Sequence, residues 1–95
     1  MKKVLVLGAG KSAPYLIAYL LQEAEKHDWW VTVADMDLAL AKSRIGNSKR
    51  GAAIKFDVND SDLRSKEIGK ADVVVNILAP RFQYVVALTC VRLGK

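Results

Sequence analysis

The sequence contains one cysteine, Cys90, and one histidine, His27. A single cysteine excludes an internal disulfide and every multi-cysteine metal site. It fits a reducing compartment, expected to be the cytoplasm. No Ser/His/Asp set, carboxylate dyad or cluster of metal ligands is legible, so no catalytic residue and no metal are expected here. No apolar run is long enough to cross a membrane. Val4-Leu5-Val6-Leu7 is too short for the core of a signal peptide, and glycine follows it. Aromatic residues make up 7% of the chain. None interleaves with the densest basic group, Lys42, Arg44, Lys49 and Arg50, so the net charge of +5 reads as a solvated face, with no nucleic-acid partner expected. His27 falls in a polar helix end, where a surface position is expected. Cys90 falls on an apolar helix face, where a thiol serves as a small hydrophobe.

What is present is the composition of an ordinary globular protein, with 52% hydrophobic and 26% charged residues. The 95 residues make one domain, 1–95. Lys3 to Leu7 reads as a buried strand stopped by glycine. Ser12 can cap the helix that follows, and Pro14 suits its first turn. Leu16, Ile17, Leu20, Leu21 and Ala24 fall on one face of it, and His27-Asp28 closes it. Trp30 to Ala34 is a second strand. Leu38, Ala41 and Ile45 mark a second helix that Gly46-Asn47 ends. Ala52 to Phe56 is a third strand. Asp60 or Ser61 caps a brief helix carrying Leu63 and Ile68, with Gly69 after it. Val73 to Leu78 is a fourth strand, broken by Ala79-Pro80, and Phe82 to Leu93 is a fourth helix stopped by Gly94.

Strands alternating with helices imply an α/β fold, with a parallel sheet covered on both faces. Right-handed crossovers give a Rossmann-like, doubly wound sheet of four strands in order 3-2-1-4, truncated before a fifth. The chain is therefore expected to be the N-terminal fragment of a larger protein. The apolar fourth strand would be an uncovered edge, through which self-association is expected.

Gly8-Ala9-Gly10-Lys11-Ser12-Ala13 fits the pattern G-x-G-x-x-G/A between a strand and a helix, and Asp35 ends the second strand at about the spacing of 20 residues seen in dinucleotide sites. Gly8 permits the tight turn. Gly10 lets the backbone approach a pyrophosphate, and Ala13 stands where helix and strand pack closely. The helix start offers N–H groups and a positive dipole end to the phosphates, with Ser12 as a hydroxyl donor and Lys11 as a charge at the rim. Asp35, with Met36 beside it, is placed to take the adenine-ribose hydroxyls and to repel a 2′-phosphate. That choice favours NAD, with NADP open because Lys42 and Arg44 follow. Asp37 is assigned the cap of the next helix. Asp57-Val58 falls beside the expected adenine pocket. Asn76 lies in the fourth strand, and the exit Leu78-Ala79-Pro80 borders the crevice. Each of these last groups reads equally well as an ordinary turn or strand end.

Met1-Lys2-Lys3-Val4-Leu5-Val6-Leu7-Gly8-Ala9-Gly10, Val31-Thr32-Val33-Ala34-Asp35, Phe56-Asp57-Val58-Asn59-Asp60 and Ala79-Pro80-Arg81-Phe82 together resemble the N-terminal cofactor domain of glutamate-forming saccharopine dehydrogenases. The resemblance covers essentially the whole chain. It implies an oxidoreductase that transfers a hydride from the C–N bond of saccharopine to NAD or NADP, giving glutamate and an aminoadipate semialdehyde. It also implies a later substrate domain, without which these residues alone are expected to be inactive. Members of that family often carry histidine soon after Pro-x-Phe, where this chain has Gln83, so no role passes to that position. The alternative reading is a non-catalytic NAD-sensing module of a transporter or channel, which shares the glycine loop and the strand-end acid.

Overall fold

Alternation along the first strand decides how the chain layers. Val4 and Val6 point to one face and Leu5 and Leu7 to the other, and all four are buried. A strand buried on both faces requires helices on both. The computed structural model describes residues 1–10 and 13–95. It contains β1 (Lys2–Leu7), α1 (Ala13–His27), β2 (Trp29–Asp35), α2 (Leu38–Ile45), β3 (Gly51–Lys55), α3 (Ser61–Lys70), β4 (Val73–Asn76) and α4 (Pro80–Arg92). The four strands form one sheet in order β3-β2-β1-β4. Every pairing is parallel. This is the Rossmann-like α/β arrangement expected from the sequence.

Helix α1 buries Ala13, Ile17, Leu21 and Ala24, a stripe at helical spacing. With Ala41 and Ile45 of α2, the stripe covers Val4, Val6, Val31 and Val33. On the other face Ile68 of α3 and Val86 of α4 pack with Leu5, Leu7, Ala34 and Phe56. Thr89 is the buried polar residue of this layer. Its hydroxyl donates to the Val85 carbonyl at 2.9 Å and accepts from Arg64 Nε at 2.9 Å. Arg64 also donates to the Val58 carbonyl at 2.5 Å, so one guanidinium ties α3 to α4 and to the turn that follows β3.

The sequence-based boundaries shift by one residue at the start of β1 (Lys2), at both ends of β2 (Trp29–Asp35) and at the end of α4 (Arg92), and more tellingly at four other places. The strand expected over 52–56 runs over Gly51–Lys55, although the N–H of Phe56 still reaches the Asp35 carbonyl at 2.9 Å. Gly69 lies inside α3, and the helix closes at Ala71, whose N–H returns to the Ile68 carbonyl. β4 stops at Asn76 because the Asn76 side chain accepts from the N–H of Leu78 at 3.3 Å and turns the chain out of the sheet. α4 starts at Pro80, where a missing N–H costs nothing. Asp60 caps α3 and Asp37 caps α2, each accepting an N–H at 3.1 Å. The expected cap Ser12 lies outside the described residues, as does Lys11.

Candidate site at the carboxyl edge of the sheet

The four strands run parallel, so their carboxyl ends share one edge. In open α/β sheets ligands bind in the crevice beyond that edge, where the strand order reverses. Here the reversal falls between β1 and β4. Gly8 leaves β1 at φ +109°, a conformation that L side chains rarely adopt, and a Cβ on it would stand 3.1 Å from the Ile77 carbonyl oxygen. Its N–H donates to Ala34 at 2.8 Å. Gly10 differs, since among the described residues beyond its chain neighbours a Cβ there would meet nothing within 4 Å. Ala13 is fully buried at the start of α1, and its N–H donates to the Gly10 carbonyl at 3.0 Å. A larger residue at position 13 would push α1 off the sheet.

Asp35 faces this turn. One carboxylate oxygen accepts the N–H of Ala9 at 2.8 Å and the other accepts the N–H of Asp37 at 2.8 Å. Its side chain is thereby held at the strand end, with lone pairs remaining for ribose hydroxyls. Arg44 reaches the same turn from α2. Its Nε donates to the Ala9 carbonyl at 3.0 Å and its Nη2 to the Gly10 carbonyl at 3.4 Å. The backbone of Ala9 is therefore held through its N–H by the Asp35 carboxylate and through its carbonyl by the Arg44 guanidinium. Arg44 enters the sequence reading as a rival partner for a phosphate. Its hold on the glycine turn was not foreseen, since no local pattern marks a contact 35 residues apart.

A cavity of about 330 Å³ opens beside this turn. Asp35, Met36, Asp57, Val58 and Leu78 of the sequence-based set line it, joined by Phe56, Asn59, Arg81 and Phe82. Asp57 accepts the N–H of Asn59 at 2.9 Å, which makes a tight turn of the β3 exit. Ala79 and Pro80 do not line the cavity and instead open α4 beside it. Asn76 and Gln83 brace that exit. Gln83 Nε2 donates to the Leu78 carbonyl at 2.8 Å, and Asn76 Nδ2 approaches the Gln83 carbonyl at 3.5 Å. Gly8, Gly10 and Ala13 are not among the residues that line the cavity.

His27 is exposed, pairs with Glu23 at 3.3 Å and stacks on Trp29, far from this edge. Cys90 packs against the α3/α4 layer, and burial pushes its thiol pKa up, which makes it a poor nucleophile. Among the described residues no group of three or more His, Cys, Asp or Glu side chains could hold a metal. No described helix is long and apolar enough to cross a membrane.

Comparison with known proteins agrees with this geometry. An alpha-aminoadipic semialdehyde synthase of Arabidopsis thaliana is 31% identical over 109 aligned positions, covering 97% of this chain and 10% of its own length. The solved saccharopine dehydrogenase (L-Glu forming) of Saccharomyces cerevisiae superposes with a TM-score of 0.87 at 32% identity, over all of this chain and 20% of that one. A short-chain dehydrogenase/reductase of Veillonella parvula, solved with NADP, shares the fold at a TM-score of 0.73 and 20% identity, over 98% of this chain and 43% of its own. The chain thus spans about a tenth of the curated relative and a fifth of the yeast enzyme. The sequence pattern of the saccharopine dehydrogenase NADP binding domain matches residues 4–95, and the chain belongs to that family.

Proposed function

We propose that this chain is the dinucleotide-binding domain of an oxidoreductase acting on saccharopine, and that it selects NAD over NADP. The observation that carries the cofactor choice is Asp35, whose carboxylate is fixed by Ala9 at the point where the adenine ribose would lie. Gly8, Gly10 and Ala13 would shape the pyrophosphate turn, together with Lys11 and Ser12. Met36, Asp57 and Val58 would border the adenosine half, and Leu78, Ala79 and Pro80 would lie toward the nicotinamide half. When bound, the cofactor would accept a hydride from the C–H beside the secondary amine of saccharopine; loss of the amine proton leaves an imine, which one water hydrolyses to glutamate and aminoadipate semialdehyde. Membership in the saccharopine dehydrogenase family favours this enzyme over a sensing module of a channel.

Calorimetric titration with both cofactors tests the choice. NAD should bind better than NADP, and Asp35→Ser should narrow the gap by about tenfold, equivalent to ~1.4 kcal/mol. A parent protein that prefers NADP would sink the assignment. The Arg44 guanidinium, already at the glycine turn, would then be the natural phosphate partner.

The same reading gives a second expectation. Hydride transfer needs the substrate held against the nicotinamide in near-attack geometry. The crevice offers two carboxylates, Asp35 and Asp57, and both already accept backbone N–H groups. Saccharopine added with NAD to these 95 residues should therefore yield no reduced cofactor by absorbance. Turnover that disappears in Gly10→Val would place the reacting groups inside them.

A further inference from the structure

Arg81 is the one cation among the described residues that line the 330 Å³ cavity, and neither the glycine pattern nor the strand-end acid accounts for it. It stands in the first turn of α4, is exposed, and lays its guanidinium over the Phe82 ring at 4.7 Å from the centroid. A guanidinium is planar. Its contact with Phe82 leaves the exposed guanidinium able to meet a second flat group. Phe82 is half-buried in the α3/α4 layer, so it fixes the plane on which Arg81 rests. Met36, 58% exposed on the same cavity, adds a polarizable thioether.

The chemistry of the wall decides what kind of group enters. Among the described residues Asp35, Asp57 and Arg81 are its charged groups. A planar cation there accepts a neutral, electron-rich ring that can stack on it. The volume lies near the lower end of the range of ~300–1,000 Å³ for ligand sites, enough for a nucleoside and too little for a whole dinucleotide.

We propose that Arg81 binds the adenine ring of the cofactor by stacking, with Phe82 as its support. This rests on the dinucleotide reading above and assigns its adenine contact. Guanidinium stacking on a base is a recurrent device because every base offers a π-face.

Titration of the chain with 5′-AMP and with 2′,5′-ADP is the test. Arg81→Ala should weaken 5′-AMP by about tenfold, within the span of desolvated cation–π contacts. Arg81→Lys keeps the charge and loses the plane, so it should not restore affinity. Phe82→Leu should weaken 5′-AMP by a smaller factor. Circular dichroism melting guards against a folding defect, and Arg81→Ala should melt with the parent because the side chain is exposed. Parent-like AMP affinity in Arg81→Ala would overturn the proposal. Full rescue by lysine would also overturn it, as would a loss confined to 2′,5′-ADP, since either means that Arg81 acts as a charge. A parent that binds neither AMP nor NAD would instead overturn the dinucleotide reading itself.

Discussion

Gly10→Val is expected to lose dinucleotide affinity by a hundredfold or more while the protein keeps its fold. The two effects separate because, among the described residues beyond its chain neighbours, a Cβ on Gly10 would meet nothing within 4 Å. A branched side chain can therefore be accommodated by the folded chain. It would occupy the position from which backbone N–H groups meet the pyrophosphate, and that approach is what the helix start offers an anion. Gly8 gives the contrasting case. At φ +109° and 3.1 Å from the Ile77 carbonyl, it tolerates no side chain without strain, so Gly8→Ala would confuse stability with binding. Calorimetry with NAD, alongside far-UV circular dichroism, measures both quantities. A folded Gly10→Val protein that binds like the parent would reduce the glycine turn to a matter of chain geometry.

Gly51→Val should destabilise the domain by about 3 kcal/mol or more, at the upper end of the cost of overpacking. A Cβ at Gly51 would lie 2.6 Å from the Val31 carbonyl oxygen and 2.9 Å from both Ile45 Cδ1 and Leu21 Cδ2. The carbonyl belongs to the central part of β2 and cannot move without breaking the ladder, while Ile45 and Leu21 are held in the α1/α2 layer. A domain of this size has roughly 5–15 kcal/mol in total, so the loss is a large share. Urea unfolding should show a lower midpoint with an unchanged slope. An unaltered midpoint would mean that β3 can peel away from β2 at no cost.

These two glycines mark what the sequence makes legible and what it hides. Gly10 stands in a spaced pattern between an apolar run and a helical stripe, and that pattern is local. So are the strands, since Val4 to Leu7 and Val31 to Ala34 are β-branched or apolar runs that end in Gly8 and Asp35. The parallel order of the sheet follows from their alternation with helices. Gly51 carries no such signal. The alternation of Ala52 and Ile54 suggests a strand from Ala52, and the close approach to Val31 appears only when α1, α2 and β2 meet. Arg81 is hidden for a related reason. The break at Ala79-Pro80 reads as a stop, yet Pro80 is also a good first residue of a helix, and that choice turns Arg81 toward the cavity. The Asp35 position is legible from spacing. Its partner Ala9 is not, because that contact depends on the pairing of Leu7 with Ala34.

The tryptophans stand where β2 begins, Trp29 opposite Lys2 and Trp30 opposite Lys3. Trp29 stacks on His27 with centroids 5.1 Å apart, and Trp30 borders a separate cavity of about 280 Å³ beneath α3. A strand of this length puts on the order of 20 Å between them and the opposite edge. Indole emission should therefore change little when AMP or NAD is added. It reports instead on whether β1 and β2 remain zipped at their amino ends, so a fluorescence melt reads the sheet from the edge opposite the crevice.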